Sequence, residues 1–220
     1  MKLLNSKGEF ISKAEGELLL QKIEAGHYDF EQVQNLGQIS TKDYLDTHVQ
    51  AVLDLPLVKQ EVVAKSGLKV VVDGVNSSGG VYVPAMLKAL GVSEVIELYC
   101  EPTGNFAHNP EPLKENLTAI SDKVKSTGAD LGIVVDPDVD RLAFICEDGT
   151  MFGEEYTIVA VADYVLQHTP GATVSNLSSS IALRDITEKH GCSYSASAVG
   201  EVNVVEQMKA TSAIIGGEGN

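Results

Sequence analysis

Three aspartates stand at alternate positions in the segment "DPDVDR": Asp136, Asp138 and Asp140, with Arg141 directly after them. In an extended backbone, alternate side chains point to the same side, so the three carboxylates are predicted to converge. Carboxylates at such close range repel one another strongly unless a cation lies among them. Hard oxygen ligands favour magnesium, manganese or calcium, and the segment therefore predicts a divalent metal site.

Three alternatives account for the aspartates less completely. A solvated acidic turn is the simplest, although it is an unusual insertion between the apolar runs "GIVV" and "LAFIC". An EF-hand calcium loop counted from Asp136 has an acid, Glu147, at its twelfth position, but its sixth position needs glycine and holds Arg141. A phosphatase with an aspartate nucleophile two residues before a second aspartate leaves Asp140 and Arg141 unexplained.

The elements around the aspartates alternate between strand and helix. "LKVVVDG" is predicted to be a strand, "VNSSGG" a turn and "VYVPAMLKALG" a helix that Gly91 ends. The order repeats with "VSEVIELYC", the helix "PEPLKENLTAISDKVKSTG" and the strands "ADLGIVVD" and "LAFICED", before the helix "EEYTIVAVADYVLQHT". This alternation predicts an α/β fold.

The two ends of the chain differ from this central part. The first 66 residues are predicted to be mostly helical, with Ser12 and Glu15 beginning one helix and Thr41 capping a second. After Pro170 the alternation starts again, with "TVSNL" as strand, "SIALRDITEKHG" and "VNVVEQMK" as helices and "SAIIGG" as strand. We predict a domain boundary near Pro170.

Composition limits the partners and the compartment. The chain has 220 residues, 44% of them hydrophobic, and a net charge of −15, which predicts a soluble globular protein that binds neither nucleic acid nor an anionic membrane. No apolar run approaches the roughly 20 residues that span a bilayer. The three cysteines are far apart, and we expect a cytoplasmic protein with reduced thiols.

Several motifs resemble one known family. "DPDVDRLAF" followed by "EDGTMFGEE" closely resembles the metal-binding loop of the α-D-phosphohexomutases, the phosphoglucomutase and phosphomannomutase group, whose motif is D-x-D-x-D-R. "GLKVVVDGVNSSGG" is similar to the opening of that family's second domain, and "GNFAHNPEP" to the loop after its second strand. "VGEVNVVEQMK" through "IIGGEGN" resembles the third domain up to a sugar-binding loop with the pattern G-E-x-[SN]-G.

The resemblance implies a fold, an activity and a domain division. The fold would be a mixed β-sheet layered between helices, with the end of a first domain at 1–41, a second domain at 42–169 and the beginning of a third at 170–220. The activity would interconvert hexose 1-phosphate and 6-phosphate through a phosphoserine and a bisphosphorylated sugar, with Mg²⁺ as cofactor and a hexose bisphosphate as activator.

The family's phosphoserine motif, Ser-His-Asn-Pro, is not found in these 220 residues, so we expect the chain to be inactive alone. An incomplete third domain could also associate with another copy through an unpaired strand edge. The alternative function is a non-catalytic module on the same scaffold that binds a sugar phosphate or a metal.

The same resemblance implies roles for individual residues. Metal ligands would be Asp136, Asp138 and Asp140; catalytic residues would be Arg141 and Lys2; substrate-binding residues would be Gly200, Glu201, Glu218 and Asn220. The simpler role for Arg141 is an ion pair with a nearby acid such as Glu154. His108, in "FAHNP", is predicted to be structural.

Overall fold

The computed structural model describes residues 2–219 and contains two β-sheets, each with helices packed beside it. The chain begins with a tight turn in which Leu4 bridges Phe10, followed by helix α1 (Lys13–Glu24). A capping box begins α1, because Ser12 Oγ accepts the Glu15 N–H and the Glu15 carboxylate accepts the Ser12 N–H. The predicted start of this helix is confirmed.

Two short helices, α2 (Leu45–Leu53) and α3 (Gln60–Ser66), connect α1 to the first sheet. The prediction that Thr41 caps the second helix is wrong. The helix begins four residues later, and Asp43 Oδ1 accepts the Leu45 N–H at 2.9 Å. Helix α3 was not predicted, because only seven residues separate its start from its end at Gly67, which has φ +72°.

The first sheet has the strand order β2-β1-β3-β4, in which β1, β2 and β3 are parallel and β4 is antiparallel to β3. This is the mixed sheet that the resemblance implied. Its elements are β1 (Lys69–Asp73), α4 (Gly79–Leu90), β2 (Glu94–Leu98), α5 (Thr118–Thr127), β3 (Leu131–Val135) and β4 (Leu142–Cys146).

Alternation along β1 produces a core on both faces of this sheet. Val71 packs in one buried cluster with Ile120 of α5, whereas Val70 and Val72 pack in a second cluster with Val83 of α4. Full burial of each such side chain contributes roughly 1.5–3 kcal/mol. A shift of β1 by one residue would exchange the two faces, so the core fixes the position of the loops that follow β1 and β3.

The second sheet is parallel, with the order β6-β5-β7. Its elements are α6 (Tyr156–His168), β5 (Thr173–Asn176), α7 (Ala182–Lys189), β6 (Tyr194–Ser197), α8 (Glu201–Thr211) and β7 (Ile215–Gly217). Strand β6 was not predicted, because its sequence "YSAS" has no apolar run. Within residues 2–219, no helix combines the length and the hydropathy that crossing a membrane requires.

Candidate functional site

The three aspartates occupy the turn that joins β3 to β4. Asp136 follows β3 directly and is only 7% exposed, whereas Asp138 and Asp140 are exposed. One carboxylate oxygen from each residue lies within 4.8 Å of the other two. The predicted convergence is therefore confirmed, but the reason given for it was wrong. The segment is a turn rather than an extended strand, and Val139 has φ +64°, a conformation that β-branched residues rarely adopt.

Hydrogen bonds hold this aspartate turn in place. Asp136 Oδ1 accepts the backbone N–H of Asp140 at 3.0 Å and that of the next residue at 3.1 Å. The carbonyl oxygen of Pro137 accepts the hydroxyl groups of Ser77 at 2.8 Å and Ser78 at 2.7 Å. These serines lie between β1 and α4, so the loop after β1 supports the turn after β3.

The aspartate turn carries an excess of negative charge. Burial raises the pKa of Asp136 to about 6, and the neighbouring carboxylates act in the same direction. Lys2 lies on the exposed side, with its Nζ 2.7 Å from Asp138 Oδ2 and in contact with Asp140. The hydrogen bonds from Lys2 to Asp138 and Asp140 raise the pKa of Lys2. The bond to Asp138 also lowers the pKa of that carboxyl group.

The donor set fits a divalent cation. It offers three hard oxygen donors at short range, one of them buried and held by backbone hydrogen bonds. Burial of Asp136 favours an ion over solvent as the partner of that carboxylate, because a buried charge without a partner is costly. These carboxylates could hold magnesium, manganese or calcium.

Arg141 is half-exposed at the end of the aspartate turn. Its Nη1 forms an ion pair with Glu111 Oε2, from the segment between β2 and α5. An ion pair was considered for Arg141, but the partner suggested, Glu154, was wrong. In this arrangement Glu111 holds the guanidinium next to the aspartate turn.

The segment that carries Glu111 is tied to the end of β1. His108 Nε2 lies 3.0 Å from Asp73 Oδ2, and His108 Nδ1 lies 2.7 Å from the carbonyl oxygen of Asn109. Burial raises the pKa of Asp73, and the Val75 N–H and His108 oppose this effect. These contacts agree with the structural role predicted for His108.

Two of the predicted substrate-binding residues meet at the edge of the second sheet. Glu218 follows β7, and its Oε1 accepts the backbone N–H of Gly200 at 2.7 Å and the side-chain amide of Asn176 at 2.5 Å. Gly200 precedes α8 and has φ +112°, a conformation open mainly to glycine.

Glu201 does not contact Glu218 through a hydrogen bond; it lines a cavity of about 410 Å³ between α8 and the turn near Leu4. Asn220 lies outside the described residues.

The N-terminal turn contacts both of these regions. Lys2 reaches the aspartate turn, and Glu9 Oε1 accepts a hydrogen bond from Lys209 of α8 at 2.7 Å. Sequence reasoning did not identify the contacts made by Glu111 and Asn176. Glu111 lies in the segment "GNFAHNPEP", and a polar residue at the carboxyl end of a predicted strand is the signal that could have revealed Asn176.

Comparison with known proteins agrees with this geometry. The family model described as phosphoglucomutase/phosphomannomutase, alpha/beta/alpha domain II, matches residues 42–149, and the model of domain III matches residues 153–220. A phosphoglucomutase/phosphomannomutase from Thermococcus kodakarensis is 32% identical over 100% of this chain and 48% of its own length. A probable phosphoglucosamine mutase from Methanopyrus kandleri is 30% identical over 94% of this chain and 45% of its own length.

Solved structures give the same result. A phosphoglucomutase/phosphomannomutase family protein from Burkholderia thailandensis superposes with a TM-score of 0.77 at 26% identity, over 95% of this chain and 44% of that one. A putative phosphomannomutase from Thermus thermophilus has the same fold, with a TM-score of 0.77 at 22% identity, over 96% of this chain and 48% of that one. The chain spans about half the length of the relatives that it matches. Together, the two matched domain models, the curated relatives that align with 94–100% of this chain and the shared fold show that this chain belongs to the phosphoglucomutase/phosphomannomutase family.

Proposed function

We propose that these residues form the metal-binding and sugar-binding part of a phosphohexomutase, an isomerase that interconverts hexose 1-phosphates and 6-phosphates through a phosphoserine and a bisphosphorylated sugar. The observation that carries the proposal is the aspartate turn. In it, three carboxylates converge next to Lys2 and directly before Arg141. The proposed division is the end of a first domain at 1–41, a second domain at 42–169 and part of a third at 170–220.

We assign Mg²⁺ to Asp136, Asp138 and Asp140. When bound, Mg²⁺ supplies positive charge close to the phosphoryl oxygens. Phosphoryl transfer depends on positioning and on neutralising negative charge more than on covalent chemistry by the protein. The aspartate turn of the second domain would position the phosphoryl group and, with its bound metal, neutralise the negative charge.

Two cationic side chains would act on the transferred phosphoryl group. Arg141 can direct two parallel N–H groups at phosphoryl oxygens once its pair with Glu111 opens. Hydrogen bonds to Asp138 and Asp140 raise the pKa of Lys2, so at neutral pH Lys2 is a cation and hydrogen-bond donor rather than a base.

The third domain would bind the sugar. Glu218 is a hydrogen-bond acceptor for sugar hydroxyl groups, and Gly200 donates its backbone N–H to Glu218 from the residue before α8. The resemblance to the family assigns Glu201 and Asn220 to sugar binding as well. The relatives are named as glucose, mannose or glucosamine phosphate mutases, so these three sugar phosphates are the substrates to test.

The proposal that the metal and the sugar phosphate bind at one site can be tested on the 220-residue chain. Mn²⁺ is added as a paramagnetic probe, and the ³¹P relaxation rate of glucose 1,6-bisphosphate is measured with and without protein. We expect the protein to raise the rate above that caused by free Mn²⁺, and Asp138→Asn to remove the increase. No increase with the unaltered chain would contradict a site shared by metal and sugar phosphate.

The non-catalytic alternative is distinguished by the reading frame upstream of Met1. A mutase needs a Ser-His-Asn-Pro loop to carry the phosphoryl group, since good binding does not replace a missing nucleophile. We expect this motif to be encoded there. A complete reading frame without it would favour a module that binds the sugar phosphate without turning it over.

Replacing Arg141 with lysine in the product of the complete reading frame should lower turnover by about 100-fold, the scale for losing one preorganised donor. Lysine keeps the charge but loses the two-pronged geometry. The thermal midpoint should stay unchanged, because the Arg141–Glu111 pair is half-exposed. The matched control is Arg184→Lys, since Arg184 pairs only with the adjacent Asp185 within residues 2–219. If Arg141→Lys turned over as fast as the Arg184→Lys control, Arg141 would serve only as the structural partner of Glu111.

A further inference from the structure

Asn176 is a buried polar residue at the carboxyl end of β5, with 3% of its surface exposed. Its Oδ1 accepts the backbone N–H groups of Ser178 at 3.1 Å and Ser179 at 2.8 Å. The hydroxyl groups of the same two serines donate to it at 3.0 and 2.7 Å. Its Nδ2 donates to Glu218 Oε1 at 2.5 Å. Donors surround one end of the amide and a carboxylate faces the other, so the network fixes the amide's orientation.

The carboxylate of Glu218 is held on one side only. Its Oε1 accepts from Asn176 and from the Gly200 N–H, whereas its Oε2 has no hydrogen-bond partner among residues 2–219. The backbone next to it is also held, because the Gly219 N–H donates to Ser179 Oγ at 2.8 Å. Two donors on one oxygen fix the carboxylate plane and leave the other oxygen available to a ligand.

We propose that Asn176 is a positioning residue that acts through Glu218 and directs its Oε2 toward a hydroxyl group of the bound sugar phosphate. The claim that Glu218 Oε2 faces a sugar hydroxyl group rests on the proposed function, whereas the positioning of Glu218 by Asn176 is a property of the ligand-free chain.

An amide is the side chain that suits position 176. Aspartate would place a negative charge against Glu218, and alanine would leave the turn's four donors without their acceptor. Ser178 is exposed and Ser179 is half-buried, so the cost falls on those donors that water cannot reach. Asparagine alone satisfies the serine turn and at the same time donates to a carboxylate.

The positioning is tested first without ligand and without altering residue 176. In ¹H–¹⁵N spectra of the 220-residue chain, Glu218→Ala should shift the side-chain amide resonances of Asn176 and accelerate exchange of the Gly200 amide by about tenfold or more. The Leu177 amide, which donates to the carbonyl oxygen of Ser197 at 3.0 Å, should be unchanged and serves as the control. Unchanged Asn176 resonances would overturn the proposal.

The second test uses glucose 6-phosphate as the probe, titrated into the same chain. Asn176→Asp should weaken binding by about tenfold or more, and Ser178→Ala, which removes one of four donors to the same amide oxygen, by twofold or less. In a Glu218→Ala background, Asn176→Asp should have no further effect, because Asn176 acts through Glu218.

These outcomes separate the two claims. An effect of Asn176→Asp that persists without Glu218 would overturn the positioning role while leaving sugar binding intact. If the unaltered chain bound no glucose 6-phosphate, the proposed function would fail, and the Asn176 resonances in Glu218→Ala would still decide the positioning claim.

Discussion

Replacing Asp138 with asparagine should weaken Mn²⁺ binding to the chain by well over tenfold, because losing even an outer partner of a metal ligand costs about 10–100-fold. Asparagine keeps the size of the side chain but removes one of three negative charges in the aspartate turn. The measurement is a Mn²⁺ titration followed by electron paramagnetic resonance, which counts free Mn²⁺ and tolerates weak affinity. Asp136 and its backbone hydrogen bonds remain in place, so the variant should fold normally.

The matched control is Asp148→Asn, at the opposite end of β4. It removes the same charge and keeps an oxygen that can accept from Thr150. It should bind Mn²⁺ as the unaltered chain does. Equal losses in both variants would mean that overall charge, and not the aspartate turn, attracts the ion.

The same titration has a predicted pH dependence. A metal ion needs the deprotonated carboxylate, and the pKa of Asp136 is raised to about 6. Affinity should therefore be constant above about pH 7 and fall by about tenfold per pH unit below pH 6, as protons compete for Asp136. Constant affinity down to pH 4 would exclude Asp136 as a ligand.

Gly80→Ala should lower the free energy of unfolding by about 1–3 kcal/mol, the usual cost of overpacking. Gly80 lies in the first turn of α4, where alanine alone would gain about 1 kcal/mol in helix propensity. A Cβ atom at this position would lie 2.5 Å from both Cα and the carbonyl oxygen of Cys100. Backbone atoms cannot rotate away, so the steric cost exceeds the gain. Urea denaturation followed by circular dichroism measures the difference.

Gly16→Ala is the control for this prediction. Gly16 also lies inside a helix, α1, but a methyl group added there would have Ile11 Cδ1, at 3.9 Å, as its nearest neighbour. This substitution should therefore leave stability unchanged or raise it by up to about 1 kcal/mol. Gly80→Ala should also weaken Mn²⁺ binding, because the start of α4 adjoins Ser77 and Ser78, which hold the aspartate turn. Stability and binding like those of the unaltered chain would show that the contact between α4 and the backbone of Cys100 is not tight.

The sequence predicts those features that local pattern determines. Strands β1 and β3 are dense in valine and isoleucine, and helix α1 begins with a capping box, so the sequence predicts all three elements correctly. Strand β6 was missed because its small polar residues acquire strand geometry only by pairing with β5. The aspartates were found by their spacing, although a turn, and not an extended strand, brings them together.

Contacts between distant parts of the chain could not be predicted in this way. In the folded chain Lys2 meets the aspartate turn, Glu111 meets Arg141, and Asn176 meets Glu218. Each pair joins residues that are far apart in the sequence, and a polar residue has many possible partners before the topology is known. The positions of the individual groups follow from sheet order, which a single sequence specifies only indirectly.

The most direct test of the proposed function is mutase turnover by the product of the complete reading frame, assayed with the 1-phosphates of glucose, mannose and glucosamine in the presence of Mg²⁺ and the matching bisphosphate. We predict conversion of at least one of them to its 6-phosphate, loss of conversion on chelation of the metal, and a large loss in Asp138→Asn. The 220 residues alone should give no turnover, because they contain no Ser-His-Asn-Pro loop. Failure to convert any of the three sugar phosphates, or full turnover by Asp138→Asn, would contradict the assignment of these residues to a phosphohexomutase that uses the aspartate turn.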